Sequence, residues 1–239
     1  MIKLIFNTIL YRPLYNALVL LYQFLSFHDL GIAIVLLTLF IRILLYPLSA
    51  SSLRAQKKIS ELQPKINAIQ KNHKDSKEKT EELLKLYRKE KINPFAGFLP
   101  LLLQLPILIA LYRVFGKIQE IDPSLLYSFV SNSSSFNTSF LGILNLATPS
   151  APLAFLAAIL QYFQTKSIQT KSIQKKPKEG TPEISQMIQK QTLFIFPILT
   201  FFILFKLPSA IGVYLVATTL FSLGERWFIK KDKIKDKHA

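Results

Sequence analysis

The stretch LLTLFIRILLYP (residues 36–47) places a single arginine, Arg42, in an otherwise apolar run. The helix predicted around it begins after Asp29 and continues to about Leu48, long enough to cross much of the ~30 Å hydrocarbon core of a bilayer. A central arginine costs about 2.5–3.5 kcal/mol on insertion scales, so its guanidinium needs water or a partner. No acidic residue lies deep in an apolar block, and the nearest, Glu225, lies at the end of the last of them. The sequence therefore predicts a water-filled cavity, open to one side, around Arg42.

The whole chain combines a large apolar fraction with a strongly basic charge. Of its 239 residues, 50% are hydrophobic, and 30 Lys and Arg against 14 Asp and Glu give a formal net charge of +16. The apolar residues form blocks and the charges lie between them, which is typical of a polytopic membrane protein. There is no cysteine, which excludes disulfides and cysteine catalysis. The three scattered histidines and the lack of a GxxxxGK[ST] motif leave no candidate for a metal, acid–base or nucleotide site, so we expect no cofactor and no enzymatic activity.

The blocks predict an all-α membrane protein with five transmembrane helices around a hydrophilic groove. Residues 1–29 are expected to form an N-terminal amphipathic helix in the membrane interface, because the apolar run is interrupted at Arg12-Pro13 and its remainder, 14–27, is short for a span. A full span is the alternative. The segments that follow are a first transmembrane helix (30–52), a helical hairpin (53–92), four further spans (93–229) and a basic tail (230–239).

The predicted hairpin is rich in charge and has apolar residues at three- and four-residue spacing. Pro64 is expected to kink its first arm, and Asp75 to cap its second arm after a turn at residues 72–76. The second span is expected to open at Asn93-Pro94. The hairpin, the loop 166–190 and the segment 226–239 carry 12, 6 and 6 of the lysines and arginines. Five spans place all three on one side, which the positive-inside rule makes the cytoplasm.

The fourth apolar block, residues 193–205, has no charged residue and is short. A straight helix of that size covers ~20 Å, well under the ~30 Å core. The regular part of the third span, expected from Pro152 to Thr165, is similarly short. Two such helices would thin the bilayer locally or line a wet cavity. The alternative is that interfacial residues extend both helices.

Polar side chains on all five predicted spans are candidates to line the cavity together with Arg42. Each of them singly could instead bond a neighbouring helix. An arginine without a partner favours a cavity that attracts acidic or polar groups entering the membrane. The candidates are Thr38, Gln104, Gln161, Thr200, Thr218, Thr219 and Ser222.

Several motifs in the same order resemble the YidC/Oxa/Alb family of membrane protein insertases, over about residues 11–228. The match at the second span is the most specific. In chain order they are GIAI (31–34) with T-x-x-x-R-x-x-x-x-P (38–47), LQP (62–64), IQ (69–70), LYR (86–88), NP-x-x-G-x-x-P-x-x-x-Q-x-PI (93–107), ALY (110–112), and Pro197 with residues 208–214. The chain departs from the family at Phe98, Leu215 and Thr219, where Cys, Trp and Asn are frequent.

The resemblance implies a groove open to the cytoplasm and the lipid, in which Arg42 attracts polar or acidic segments of an incoming polypeptide. It implies that the hairpin receives the substrate, and the lack of a large domain before the core looks like the shorter bacterial members. The expected location is the bacterial plasma membrane. The expected partners are nascent membrane proteins and anionic lipids, with the Sec translocon and the ribosome as further candidates and no DNA. An anion transporter or channel, with Arg42 binding the solute, is the alternative function.

Overall fold

A computed structural model describes residues 2–72, 75–93, 99–116, 121–130, 135–169 and 183–235. This part of the chain is mostly helical, which confirms the predicted helical class. The only strands in it, residues 139–140 and 144–145, form a two-stranded antiparallel ribbon. The elements are α1 (Ile2–Phe6), a π-helical stretch (Asn7–Tyr11), α2 (Arg12–Phe24), α3 (Leu30–Leu44), α4 (Tyr46–Glu61), α5 (Gln63–Asn72), α6 (Ser76–Lys89), α7 (Leu99–Gly116), a 3-10 turn (Pro123–Leu125), β1 (Ser139–Phe140), β2 (Leu144–Asn145), α8 (Ala151–Gln169), α9 (Glu183–Leu204) and α10 (Ser209–Lys235).

The N-terminal segment is one continuous helix, so Arg12-Pro13 interrupts the apolar run without breaking the helix. Pro13 occupies the second position of α2, and the π-helical stretch joins α1 to α2 without a break. Pro13 has no N–H to donate within this continuous helix, and the local π-helical geometry just before it, in which the Arg12 N–H donates to the Asn7 carbonyl, accommodates the proline. Lys3–Phe24 is long and apolar enough to cross a membrane by length and composition.

The polar side chains of α2 bind the connection between α7 and α8. Arg12 donates from Nε to the carbonyl of Leu125 (3.0 Å) and from Nη2 to that of Leu126 (2.9 Å). Asn16, only 2% exposed, donates to the Leu125 carbonyl (2.9 Å) and accepts from the Tyr127 N–H (2.8 Å). The hydroxyls of Tyr15 and Tyr22 accept from the backbone at Asp122 and Asn137 in the same connection. This row of contacts, which we call the α2 clamp (Arg12, Tyr15, Asn16 and Tyr22), fixes the connection along the helix.

The first core helix ends earlier than the sequence predicts. It stops at Leu44 rather than near Leu48, and α4 leaves at an angle of 64° to α3. Pro47 lies in the first turn of α4, where proline favours a new helix and disfavours continuation of the old one. Arg42 is therefore in the last turn of α3, not in the middle of a longer helix. Helix α4 runs from Tyr46 through the predicted boundary between residues 52 and 53, so that boundary does not coincide with a helix end and stays a prediction.

The helical hairpin consists of α4, α5 and α6. The kink predicted from Pro64 is confirmed, because the helix breaks at Leu62. Asp75 caps α6 as predicted, accepting from the Lys77 N–H, while residues 73 and 74 of the predicted turn lie outside the described residues. The two arms pack through a small cluster of Leu62, Ile66 and Ile92. An exposed ion pair, Lys65–Glu90 (2.8 Å), lowers the pKa of the Glu90 carboxyl from its ordinary value because the ammonium donates to it.

The later helices extend beyond their apolar blocks. α8 has 19 residues and α9 has 22, which agrees with the alternative that flanking residues extend both helices, whereas the apolar part of α9 is short, Leu193–Leu204. α10 continues to Lys235, and the first residues of the predicted tail are therefore helical. The predicted opening of the second span falls partly on residues outside the described ranges. By length and apolarity, only Lys3–Phe24 and the bent pair α3–α4 qualify as spans among the described residues, so the five-span count stays a prediction.

Helix α10 packs against both α3 and α8, and all three helices contribute to the main core. Close approach requires small residues at two contacts. A Cβ on Gly212 of α10 would lie 2.7 Å from the side chain of Leu153 in α8. A Cβ on Gly31, in the first turn of α3, would overlap the ring of Phe140 in β1. The ribbon therefore sits directly against the start of α3.

Candidate functional site: the Arg42 network

The side chain of Arg42 bonds to a hydroxyl group. Its Nε donates to Oγ1 of Thr218 in α10 at 2.6 Å, and the arginine is half-buried. The ion pairs among the described residues lie in the hairpin, and none holds Arg42 within 4 Å of a carboxylate. The negative end of the α3 dipole faces the guanidinium, because Arg42 is in the last turn, and favours a cation there. The charge is thus stabilised by dipoles and not cancelled by an anion.

A tyrosine extends this contact to a third helix. Nε2 of Gln104 in α7 donates to the hydroxyl of Tyr214, one turn before Thr218 in α10, and that hydroxyl also interacts with the Thr218 side chain. Tyr214 is 2% exposed. The four residues Arg42, Gln104, Tyr214 and Thr218 form what we call the Arg42 network, which joins α3, α7 and α10. The sequence analysis missed Tyr214 as a site residue, although its four-residue spacing from Thr218 puts both on one face of α10.

The other predicted site residues lie outside this network. The hydroxyls of Thr38 and Ser222 each donate to the carbonyl four residues earlier in their own helix, at Ile34 (2.7 Å) and Thr218 (3.0 Å). Thr219 is buried in α10. Oε1 of Gln161 in α8 accepts from the hydroxyl of Thr200 in α9, which links those two helices. A role for these five residues in lining a groove stays a prediction.

Glu225 lies closer to Arg42 than the sequence suggests. It is 5% exposed, and Ser49, near the start of α4, donates to its Oε2 at 3.0 Å. The Glu225 carboxylate and the Arg42 guanidinium interact electrostatically, although they form no ion pair within 4 Å. The bend at Leu45 brings α4 beside the end of α10, and this packing was not visible in the local sequence pattern.

An apolar depression of about 360 Å³ lies beside the network, between α3, α8 and α10. Its lining residues include Leu39, Leu153, Val216 and Leu220, together with Phe140 of the ribbon. The ribbon is held there by Asp29, whose Oδ1 caps α3 and whose Oδ2 accepts from the Leu141 N–H (2.6 Å). The site therefore offers a positive, hydrogen-bonding surface and an apolar surface side by side on the same two helices, α3 and α10.

The Arg42 network is open to a stability test. We expect Tyr214→Phe to lower the free energy of unfolding by about 1–3 kcal/mol, because the Gln104 amide loses its buried acceptor. Adding Gln104→Leu should recover most of that loss by removing the unpaired donor. Unfolding in detergent micelles measures both, with Tyr162→Phe as a matched control in α8 that keeps its ring contacts. If the double variant loses as much unfolding free energy as the two single variants together, the two side chains are not coupled.

The chain is similar to a well-populated group of membrane proteins. Residues 20–237 match the model of the family described as 60Kd inner membrane protein. A protein of Clostridium tetani named membrane protein insertase YidC is 34% identical over 213 residues, covering 89% of this chain and 86% of that protein. A protein of the same name from Cupriavidus metallidurans is 30% identical and covers 97% of this chain, but the match spans only 37% of that longer protein.

The fold of this chain is also similar to that of a solved YidC insertase structure. The crystal structure titled "Active YidC insertase crystal structure with the first transmembrane domain resolved" superposes with a TM-score of 0.60 at 26% sequence identity. The match covers 90% of this chain and 45% of that one. These matches give no support to the alternative of an anion transporter or channel. With the model of one family matching most of its length, this chain belongs to the 60Kd inner membrane protein family, whose curated relatives carry the name membrane protein insertase YidC.

Proposed function

We propose that this protein inserts nascent membrane proteins into the bilayer, using the Arg42 network and the neighbouring apolar depression as the substrate groove. The proposal rests on the hydrogen-bond partner of the Arg42 side chain. Its guanidinium is held by the Thr218 hydroxyl and by no carboxylate within 4 Å among the described residues, so it can attract a polar or acidic group. The apolar depression next to it suits the hydrophobic part of the same substrate.

The proposed topology has five spans, with the hairpin, the loop 166–190 and the basic tail in the cytoplasm. The charge distribution supports it, because these three segments hold most of the lysines and arginines. The N-terminal helix lies in the interface on the opposite face. The α2 clamp supports this placement, because it binds along the connection from Asp122 to Asn137 between the second and third spans. A spanning helix would instead lead away from that face.

In the proposed mechanism the substrate first meets the cytoplasmic hairpin. Its short polar tail then enters the groove, where the charge of Arg42 and local water lower the cost of desolvation. The apolar segment of the substrate moves along α8 and α10 into lipid, driven by burial of its apolar surface. The membrane potential assists transfer of an acidic tail. The basic segments favour anionic lipid, and the Sec translocon and the ribosome are proposed as further partners.

Reconstitution tests the function directly. Purified protein in vesicles of defined lipid composition is offered a single-span reporter with a short acidic tail, and insertion is scored by protection of the tail from added protease. We expect protection well above that of protein-free vesicles. A photoreactive residue at position 42 should cross-link to the reporter tail. Absence of protection together with uptake of a labelled small anion would contradict the proposal and favour a transporter.

A further inference from the structure

A buried carboxylate with an unused oxygen lies near the end of the Arg42 groove. Oε2 of Glu225 accepts from Ser49, but Oε1 has no hydrogen-bond partner among the described residues. The adjacent Arg226 interacts electrostatically with this carboxylate but forms no hydrogen bond to Oε1. An unpaired buried acceptor is costly, and such groups in native structures call for an explanation. The unused oxygen of Glu225 is thus available to a donor that arrives from outside the chain.

The position of Glu225 relative to Arg42 is set by α10. Thr218 binds Arg42, and Glu225 follows seven residues later, which corresponds to ~10 Å along the helix axis and about two turns on a similar face. The positive and the negative group therefore follow one another along the same wall of the groove. Under the proposed topology Glu225 is the nearer of the two to the cytoplasm, so an incoming segment passes it first.

We propose that Glu225 determines the charge specificity of the groove, as a binding site for a cationic side chain of the incoming polypeptide. This inference rests on the proposed function. The carboxylate also reduces the attraction of Arg42 for acidic groups, because the two charges interact electrostatically. The matching substrate is a tail whose acidic residue leads to Arg42 and whose basic residue remains at Glu225. Over ~10 Å an extended chain spaces these two residues about three positions apart.

The inference is tested with three reporters that differ only in a neutral, acidic or basic tail. Glu225→Gln should raise the ratio of acidic-tail to basic-tail insertion by roughly threefold to tenfold, since one opposing charge is removed from the groove. Glu225→Asp keeps the charge and should keep most of the wild-type ratio. The matched control is Asp122→Asn, which removes an acid from the connection before β1, outside the groove and the hairpin, and keeps an oxygen that can accept from the Ser124 N–H. A wild-type ratio in Glu225→Gln, or an equal loss with all three reporters, would overturn the inference.

A second measurement needs no variant and so does not depend on folding. In the wild-type protein, a reporter with a leading aspartate and a lysine three residues behind should insert severalfold better than one with the two residues exchanged. Equal insertion of the two would count against a cationic subsite at Glu225. Failure of the wild-type protein to insert any reporter would instead contradict the proposed function, so the two failures are distinguishable.

Discussion

Replacing Arg42 with alanine is expected to lower insertion of an acidic-tailed reporter at least tenfold. The charge is half-buried and held by one hydroxyl, so a substrate carboxylate would provide its main ionic partner. At an effective dielectric constant of 20, two charges ~4 Å apart interact by about 4 kcal/mol, and about 1.4 kcal/mol already corresponds to a factor of ten. Protease protection of the reporter tail in vesicles measures the effect.

Two further variants separate charge from position. Arg42→Lys keeps the charge but not the directed bond from Nε, so it should retain a substantial part of the activity if attraction of the tail dominates. Arg113→Ala removes an exposed cation from the last turn of α7, outside the hairpin and the Arg42 network, and it should insert the reporter as the wild type does. Normal insertion by a folded Arg42→Ala protein would be incompatible with the groove mechanism.

Replacing Asn16 with alanine is expected to destabilise the protein by about 2–3 kcal/mol. The Asn16 side chain is almost fully buried and satisfies backbone groups at Leu125 and Tyr127 in a connection more than 100 residues away. Its removal leaves the Tyr127 N–H without its acceptor, and an unpaired buried donor costs about 1–3 kcal/mol. Thermal or denaturant unfolding in detergent gives the loss, and limited proteolysis near residues 121–130 should increase.

The matched control is Asn7→Ala on the same N-terminal helix. Asn7 is exposed and makes one long contact, 3.4 Å from Arg113, so its loss should change the unfolding free energy by less than about 0.5 kcal/mol. If the two variants proved equally stable, the α2 clamp would not hold the connection in the way described.

The sequence was sufficient for the features that depend on local chemistry. A run of apolar residues with Asp29 before it predicts the start of α3, and the structure confirms the cap through the Ile32 N–H. Pro64 predicts the break between α4 and α5 because proline cannot continue the hydrogen-bond ladder. The end of α3 was placed too late, since residues 45–48 remain apolar through the bend and hydrophobicity alone does not reveal a change in direction.

The Arg42 network was predicted in part for the same reason, while its role as a site stays a prediction. Arg42, Gln104 and Thr218 are polar residues within apolar blocks, and the structure brings them together around Tyr214. Tyr214 itself is amphipathic, so its polarity does not stand out in the sequence. The proximity of Glu225 depends on how α4 packs beside α10 after the bend, and such a tertiary contact has no local pattern.

The α2 clamp also has a consequence for the order of biosynthesis. Its bonds from Arg12, Asn16 and Tyr22 join residues that are 109 to 115 positions apart in the chain. At a synthesis rate of about 5–20 residues per second, the N-terminal helix waits roughly 5–20 seconds before its partners have been made. During that delay the guanidinium of Arg12 and the side-chain amide of Asn16 can form hydrogen bonds only with water and lipid headgroups. Under the proposed interfacial placement, these two polar groups keep the new helix at the membrane surface until the connection has been made and binds it.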